Sequence, residues 1–575
     1  MLCITRSHVE PPLAPLGRHW PSQRIVAAPM WCAVDLRDGN QALPNPMDPR
    51  RKLEYFQLLC KIGFKSIEVG FPSASQDEFD FVRLLIEGHH VPDDVTIMVL
   101  TQCRPHLIER TFQSLRGVPR AIVHAYIATS PLHMQHVFGL TEDQTIETAV
   151  AATKQIRRLA EELSDSAINF QFSPEEFTDT DPCFAVQICQ AVYQAWGRAT
   201  PDQPVIFNLP ATVERRPPYE VADLFEYFCT HFRPIDFVLI SAHAHNDQGM
   251  AVASTEMALL AGANRVEGTL FGHGERTGNV DLVTLALNLE ARGIPTGLDF
   301  LDLPTIVATV ERLTGLPVSA RQPYAGELVF TAFSGSHQDA IGKGMRRQQL
   351  KDAPRTWKVP YLLINPAQVG RAFEPLIRIN TQSGKGGIAW VMEQEHGIQL
   401  PKRFQPSVGE AIQRRMDNTG GEVASSQLLE WFNQEFINPA GPYQLIDYWP
   451  RPDEIHPDSV IHGEVKISVD GVERIIKADG NGPIDAFVKA INQLGINSFT
   501  VGRDYSEQAL GEGGSAARAL AFVPLEFASG VVIWGVGSQT SVDQAAVRAI
   551  VAALNRHAAQ LNAKCHADVV KLAQE

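Results

Sequence analysis

The chain has 575 residues, of which 44% are hydrophobic, and its formal net charge is −15 at pH 7. This length exceeds what one ordinary hydrophobic core supports, so two or three domains are expected. The acidic charge argues against a nucleic-acid-binding protein, because a surface that attracts phosphates must be positive. An anionic substrate would therefore have to be held by local arginines, a metal ion or helix N-termini.

The eight cysteines are scattered and form no CxxC pair. This spacing predicts reduced thiols and argues against a disulfide framework or a cysteine-ligated zinc site. The N-terminal extension, residues 1–29, has no apolar signal-peptide core, and no apolar run approaches the ~18 residues of a membrane-spanning helix. The sequence therefore predicts a soluble, cytoplasmic protein that binds neither membranes nor nucleic acids.

Residues 30–300 alternate short β-rich runs with amphipathic helical segments. Strands that alternate with helices form a parallel sheet, and a count of eight predicts a (β/α)8 TIM barrel. A doubly wound open sheet is the alternative, but no GxGxxG fingerprint follows the first strand. The predicted strands are 30–36, 66–71, 95–100, 121–127, 167–172, 205–210, 237–245 and 265–271.

The rest of the chain has a different organisation. Segment 301–446 is irregular, with Gly- and Pro-rich patches, and we expect a mainly helical connector there; the acidic, Pro-rich segment 447–459 is predicted to be a linker. Within 460–575, residues 471–491 and 530–550 align without a gap, and each copy has the pattern of a strand, a Gly-rich turn and a helix. Two such copies predict one α/β domain with a ligand cleft between them, although a duplicated dimerisation domain has the same pattern.

A TIM barrel carries its reactive residues just beyond the C-terminal ends of the strands. Polar residues stand at these positions after strands one, five, six, seven and eight, and we take them as candidates. They are Arg37, Asp38, Glu175, Thr212, His243, His245 and Asn279.

His243 and His245 are the sharpest signal among them. Residues two apart at a strand end face the same side, so both imidazoles can form one edge of a metal site. An HxH pair alone is only moderately specific, because two hydrogen-bonding histidines give the same pattern. Strands seven, eight and one are neighbours in a closed barrel, however, so Asp38 and Asn279 should converge on the same place. This mixed nitrogen and oxygen set suits Zn, Mn or Mg and leaves positions for a bidentate 2-oxo acid.

Two of the other candidates have structural alternatives. Arg37 stands beside a predicted metal ligand, which favours stabilisation of an anion, but a salt-bridged structural arginine would fit the same position. Glu175 follows Pro174 and could cap or start a helix. The loop GHGERTGN (272–279) can approach a ligand closely through its glycines, although a Gly-rich loop alone is weak evidence.

Several motifs resemble those of the long-chain class of bacterial 2-isopropylmalate synthases, and the resemblance runs from about residue 18 to the C-terminus. HAHND with GERTGN is shared with a wider superfamily that includes homocitrate and citramalate synthases and retro-aldol lyases. SGSHQDAI and VPYLLINPAQVGR narrow the resemblance to the isopropylmalate synthases. His273 departs from the family pattern, in which an asparagine is expected. The motifs occupy residues 35–43, 243–249, 274–280, 334–341 and 359–371.

The resemblance implies a Claisen-type condensation of acetyl-CoA with 2-oxoisovalerate, followed by thioester hydrolysis. It implies a divalent metal on Asp38, His243, His245 and Asn279, and a monovalent cation is an expected activator. Arg37 would stabilise the developing alkoxide, and which group removes the methyl proton stays open. Thr212 and Glu275 would bind substrate, and the residues that supply or position the base would be Glu175, His337 and Tyr361.

The resemblance also implies a homodimer with exchanged domains and a C-terminal domain that binds leucine as a feedback inhibitor. Glycines in the two repeated turns would let this small ligand approach the chain. A retro-aldol lyase with the same metal is a rival interpretation, and a non-catalytic amino-acid sensor is another, although the intact set of barrel residues argues against it. The glycines are Gly480, Gly482, Gly535 and Gly537.

Overall fold

The computed structural model divides into two compact units, residues 1–330 with 364–373 and residues 331–363 with 374–575. Among the described residues, no helix is both long and apolar enough to cross a membrane. Free thiols, as the cysteine spacing predicts, are found at Cys32, Cys60, Cys103, Cys183, Cys189 and Cys229. The structure describes residues 17–332, 335–350, 356–372, 385–419, 423–456, 459–496, 498–510 and 517–574.

The first unit is built on a closed barrel of eight parallel strands in chain order. The prediction of a TIM barrel is confirmed, and each predicted strand overlaps one observed strand. The strands are β1 (Met30–Ala33), β2 (Ser66–Gly70), β3 (Thr96–Gln102), β4 (Arg120–Ala128), β5 (Ala167–Glu175), β6 (Val205–Ala211), β7 (Val238–Ala244) and β8 (Arg265–Gly268).

Helices follow the strands, and their sequences explain their ends. The first helix begins after Asp48, whose side chain accepts a hydrogen bond from the Arg51 backbone N–H, and it ends at Gly63, whose φ is 112°. Its buried residues include Phe56 and Leu59, which lie on one face at helical spacing. The helices are α1 (Pro49–Ile62), α2 (Gln76–Glu87), α3 (Pro105–Ser114), α4 (Glu142–Glu162), α5 (Pro182–Trp196), α6 (Pro218–His231), α7 (Ala251–Leu260), α8 (Leu282–Ala291) and α9 (Leu303–Thr314).

The ends of two strands differ from the prediction. β1 stops at Ala33, and Asp35–Gly39 forms a single π-helical turn. β8 stops at Gly268 and is followed by a short 3₁₀ turn at Leu270–Gly272. Arg37 and Asp38 therefore lie on a turn that directly follows the C-terminal end of β1.

The second unit begins with helices, as expected for a helical connector, and continues with two small sheets. One sheet has three antiparallel strands in the order β11-β10-β9. In the other sheet, β14 pairs with β12, β13 and β15. The elements are α10 (Gly335–Gln348), α11 (Lys385–His396), α12 (Gln405–Thr419), α13 (Ser425–Phe432), β9 (Tyr443–Pro452), β10 (Ile461–Val469), β11 (Val472–Gly480), α14 (Pro483–Asn492), β12 (Phe499–Val501), β13 (Ser506–Leu510), β14 (Arg518–Phe527), β15 (Val532–Gln539) and α15 (Val542–Gln574).

The two copies of the repeat have the predicted form, but the segment predicted to be a linker is partly a β-strand. Each copy is a strand that leads through a short turn into a helix, β11 into α14 and β15 into α15. The segment predicted as a linker, 447–459, contains most of β9, which pairs with β10. Its prolines misled the sequence prediction: Pro450 and Pro452 are tolerated because β9 is an edge strand, where a missing N–H breaks no ladder on the open side. Tyr448, 2% exposed, anchors this strand in the core.

Three of the four glycines in the repeated turns pack a strand closely against the next helix. A Cβ at Gly537 would lie 2.0 Å from the Ala545 carbonyl oxygen, and one at Gly535 would lie 2.1 Å from the Ala549 carbonyl oxygen. A Cβ at Gly480 would lie 2.2 Å from the backbone nitrogen of α14 at residue 486. Gly482 differs, since a Cβ there would meet no atom of the described residues within 4 Å. A packing role is therefore sufficient to explain three of these glycines, and their role in leucine binding stays a prediction.

We expect Gly537→Ala to lower the free energy of unfolding of the second unit by about 1–3 kcal/mol, because the added methyl overpacks the contact between β15 and α15. Denaturant unfolding followed by intrinsic tryptophan fluorescence measures this change. Gly482→Ala is the matched control and should leave the transition in place. Equal stability of the two variants would contradict the close packing at Gly537.

Candidate active site at the mouth of the barrel

Three side chains from the predicted metal set converge in the first unit. Potential ligand atoms of Asp38, His243 and His245 all lie within 4.8 Å of one another, and all three residues are buried. His243 Nε2 is 3.3 Å and His245 Nε2 is 3.5 Å from Asp38 Oδ2. An oxygen anion and two imidazoles at this spacing form a donor set that suits a divalent cation.

Asn279 reaches the same region through the backbone, where it forms an isolated bridge with His245. Its side-chain nitrogen donates to the His273 carbonyl oxygen at 3.3 Å. Its Oδ1 atom is buried and, within the described residues, accepts no hydrogen bond; the same is true of His245 Nδ1. Buried polar atoms of this kind are costly unless a ligand satisfies them. Both orphaned atoms are therefore consistent with a bound cation.

A buried carboxylate orients His243 from behind. Glu267 Oε2 lies 3.1 Å from His243 Nδ1, and Glu267 is itself held by Arg265 and by Gln171 Nε2 at 2.8 Å. This contact leaves His243 Nε2 directed at Asp38, the arrangement in which a carboxylate fixes the tautomer of a metal-binding histidine. Burial opposes protonation, but Asp38 and Glu267 raise the pKa of His243 to about 9. Burial instead lowers the pKa of His245 to about 4.

Arg37 is held by two carboxylates. Its Nε donates to Glu68 Oε2 at 2.5 Å, and its Nη1 donates to Asp38 Oδ1 at 2.8 Å. Burial would lower the pKa of Arg37, but Glu68 and Asp38 outweigh it and raise the pKa above its ordinary value. Glu68 Oε1 also lies 2.7 Å from His124 Nδ1, and His124 Nε2 lies 2.7 Å from Ser173 Oγ. A buried network thus fixes a permanent cation beside the cluster of Asp38, His243 and His245.

These side chains border a cavity of about 340 Å³ that contains most of the predicted site. Its wall carries charged and polar groups from several strand ends together with a few apolar ones. The lining residues are Arg37, Asp38, Gln41, Phe71, Leu100, His124, Tyr126, Ser173, Glu175, Asn208, Pro210, Thr212, His243, His245, Glu275 and Arg276.

Glu175 and Thr212 lie on this wall in states that suit proton transfer and substrate binding. Burial, and then the negative charge of Glu176, raise the pKa of Glu175. The Glu176 backbone N–H donates to Thr212 Oγ1 at 2.9 Å, so the threonine hydroxyl hydrogen remains available to a ligand. Glu176 is buried and lies 2.6 Å from His133 Nδ1.

His337 and Tyr361 belong to the second unit. Their rings stack with centroids 4.0 Å apart and an interplanar angle of 25°. Tyr361 has a φ of 63° and is 64% exposed. Two of the three residues predicted to supply or position the base therefore contact each other.

Comparisons with known proteins agree with this arrangement. Residues 28–310 match the HMGL-like family, residues 327–393 match the post-catalytic domain-like family of alpha-isopropylmalate synthase, and residues 422–558 match the LeuA allosteric (dimerisation) domain. A 2-isopropylmalate synthase of Arthrobacter sp. (strain FB24) is 47% identical over 554 residues, which cover 94% of each chain.

The 2-isopropylmalate synthase of Pseudarthrobacter chlorophenolicus is 48% identical over 553 residues, again 94% of each chain. That of Paraburkholderia xenovorans is 47% identical over 554 residues, or 96% of this chain and 94% of the relative. The chain belongs to the 2-isopropylmalate synthase family. It is accordingly an acyltransferase of leucine biosynthesis.

Sequence reasoning missed three residues of this synthase site: Glu68, His124 and Glu267. Each is a charged or imidazole residue inside a strand, and all three are buried. A signal was present in SIEVGF, where Glu68 interrupts an apolar run, because strands of a parallel barrel are buried on both faces and rarely carry a lone charge. What the sequence could not show was the partner of each group.

We expect Glu68→Gln to lower the free energy of unfolding by about 3 kcal/mol, the low end for breaking a buried ion pair, because Asp38 still partners Arg37. Chemical denaturation measures the loss. The matched control is Glu54→Gln on α1, whose pair with Arg312 is on the surface and should contribute little. Wild-type stability of Glu68→Gln would show that the Arg37–Glu68 contact is not an ion pair that the fold depends on.

Proposed function

We propose that the chain condenses acetyl-CoA with 2-oxoisovalerate and water to give 2-isopropylmalate and CoA, the first committed step of leucine biosynthesis, in the cytoplasm. The observation that carries this proposal is the buried cluster of Asp38, His243 and His245 beside the fixed cation Arg37 in one cavity. Relatives about half identical over nearly the whole chain are named as synthases of this product.

Asp38, His243, His245 and Asn279 would hold a divalent metal ion, Mg, Mn or Zn. The fit rests on the mixed oxygen and nitrogen donor set and on the unpartnered Asn279 Oδ1 in the described part of the chain. A divalent ion bound there supplies Lewis-acid polarisation of the keto group of the oxo acid. Glu267 contributes by holding the His243 ring in place.

Arg37 would stabilise the negative charge that develops on the keto oxygen. Two of its nitrogens are already fixed by Glu68 and Asp38, so the guanidinium does not have to reorganise as the charge appears. Thr212 would donate its hydroxyl hydrogen to the substrate carboxylate. Glu275, which accepts a hydrogen bond from Gln41 Nε2 at 3.2 Å, is a further proposed substrate-binding residue.

Within the barrel, Glu175 is the group suited to take a proton from the methyl carbon of acetyl-CoA. Its raised pKa makes its carboxylate a stronger base than an ordinary glutamate. The resulting carbanion would attack the keto carbon, and water would then cleave the thioester and release CoA. His337 and Tyr361 are proposed to supply or position the base from the second unit, where their rings stack.

Leucine is the proposed feedback inhibitor, and the C-terminal repeat is its proposed binding domain. The match of residues 422–558 to an allosteric dimerisation domain supports both inhibition and a homodimer, for which we propose exchanged domains. The open space around Gly482, at the start of α14, fits the approach of a small carboxylate to a helix N-terminus.

A thiol-release assay with acetyl-CoA and a panel of 2-oxo acids, with and without leucine, tests this function. We expect the highest kcat/KM with 2-oxoisovalerate, a decrease of roughly 10–200-fold for acids that differ by one methylene, and inhibition by leucine. Cleavage of a 3-hydroxyacyl-CoA without any condensation would instead identify a retro-aldol lyase and overturn the proposal.

His245→Ala should lower bound metal and turnover together, because it removes one of three converging ligands. Metal content after dialysis, measured by elemental analysis, and thiol release report the two losses. The control is His231→Ala on α6, a surface histidine whose Nδ1 lies 2.8 Å from the Tyr227 carbonyl oxygen and whose ring stacks on the Tyr227 ring. Full metal occupancy with unchanged turnover in His245→Ala would rule out the proposed site.

If the dimer shares its sites, mixing inactive His337→Ala with inactive Arg37→Ala subunits should restore up to about a quarter of wild-type activity, because half of randomly paired dimers contain one intact site. Subunits carrying different affinity tags allow the mixed dimers to be isolated, and the isolated dimers, with one intact site of two, should show up to about half of wild-type activity. An absence of recovery in purified mixed dimers would refute a site shared between subunits.

A further inference from the structure

His273 lies in the loop after β8, the same loop that carries Glu275 and Asn279. Its side chain is 9% exposed. Its Nδ1 lies 2.9 Å from the Leu270 carbonyl oxygen and must therefore carry the hydrogen, which directs Nε2 away from its own loop. Nε2 is buried and forms no hydrogen bond within the described residues.

This Nε2 edge touches both ends of the π-helical turn Asp35–Gly39. At the first residue it lies 3.7 Å from Asp35 Oδ1. At the last residue the ring leaves no room for a side chain, since a Cβ at Gly39 would lie 2.5 Å from Nε2 and 2.8 Å from Cδ2 of the same ring. The other heavy atom near that position is the Thr269 methyl, at an ordinary 3.4 Å. The imidazole therefore occupies the space that any larger residue at position 39 would need.

The backbone of His273 contacts the other side of the site. Its carbonyl oxygen accepts hydrogen bonds from the Thr269 hydroxyl at 2.7 Å and from the Asn279 side-chain nitrogen at 3.3 Å. The second bond turns the amide so that Asn279 Oδ1 is the atom left without a partner in the described part of the chain. One residue is thus in contact with the turn that bears Arg37 and Asp38 and with the proposed amide ligand.

Asp35 already links the same two segments, because its Oδ1 accepts from the Tyr55 hydroxyl at 2.7 Å and from the Leu270 backbone N–H at 2.9 Å. That link holds only the beginning of the turn. The end of the turn, directly after Asp38, rests on the His273 ring. Within the turn, the Asp38 and Gly39 backbone N–H groups donate to the Val34 carbonyl oxygen at 2.9 and 3.2 Å, and the His273 ring adds a steric limit on the side of the loop.

We propose that His273 is a positioning residue that sets the distance between Asp38 on the turn after β1 and Asn279 in the loop after β8. The inference rests on the metal site proposed above. His273 is the position at which this chain departs from the family pattern, in which an asparagine is expected. The inference requires that the residues at positions 39 and 273 be matched in size.

A double-mutant cycle tests this match with Gly39→Ala, His273→Asn and the double variant. The probe is Mn²⁺ alone, titrated by calorimetry into the full-length protein, together with the melting temperature and kcat. We expect Gly39→Ala to weaken Mn²⁺ binding at least tenfold, because its methyl collides with the ring and displaces Asp38. Adding His273→Asn should recover most of that loss, since the shorter side chain leaves room for the methyl.

His273→Asn alone should weaken Mn²⁺ binding several-fold with little change in melting temperature and in KM for acetyl-CoA, a combination that a purely structural residue would not produce. His231→Asn, which removes a ring with a similar bond to a carbonyl oxygen, is the control and should change none of these values. If Gly39→Ala does not fold, this single variant still decides the question.

Additive effects in the cycle, or wild-type Mn²⁺ affinity in His273→Asn, would overturn the inference. Failure of the wild-type protein to bind Mn²⁺ would instead overturn the proposed metal site itself. The two failures are therefore distinguishable in one set of titrations.

Discussion

Glu68 is a carboxylate with no exposure to solvent, and the positions of the polar groups around the cavity depend on it. One of its oxygens accepts a hydrogen bond from Arg37, and the other lies against His124. A buried carboxylate is tolerated only where opposite charge and hydrogen bonds replace the lost water. Because β2, which carries Glu68, pairs in parallel with β1, which leads into the turn bearing Arg37, the sheet register fixes the spacing of this pair. Glu68 and Asp38 hold two nitrogens of Arg37 at the same time, and the arginine lies on the wall of the cavity.

Closure of the barrel fixes the position of Asp38 relative to His243 and His245, as Glu68 fixes the position of Arg37. Asp38 and His243 are 205 residues apart in the chain, and they meet because β1 pairs with β8 and β8 pairs with β7. In an open sheet with this strand order, β1 and β8 would be opposite edges and the cluster would not form. The cluster therefore also reports on the fold, since Asp38 can meet the two histidines only if the eight strands close.

The sequence was informative wherever periodicity or topology decides the structure. Alternation of strands and helices predicted the barrel, and the rule that barrel sites lie at strand C-termini predicted that Arg37, Asp38, Glu175, Thr212, His243 and His245 share one cavity. It failed where the outcome depends on partners that are distant in the chain. Nothing in the sequence around Glu267 shows that it will hold His243, and the prolines of β9 suggested a linker because an edge strand tolerates them. The π-helical turn at Asp35–Gly39 could not be predicted from the sequence pattern either, because it packs against the loop after β8, which is distant in the chain.

Charge accounts for why this arrangement favours a cation. Around His243, the carboxylates of Asp38, Glu68 and Glu267 exceed the guanidinium groups of Arg37 and Arg265 by one negative charge, in a region with little solvent. Burial alone would lower the pKa of His243, yet Asp38 and Glu267 raise it to about 9, so this excess attracts a proton. For His245, two residues further on, burial outweighs the charge of Asp38 and lowers the pKa to about 4. Glu267 orients His243 so that its Nε2 faces Asp38, and a divalent ion at the proposed site would satisfy both the excess charge and the unpartnered oxygen of Asn279.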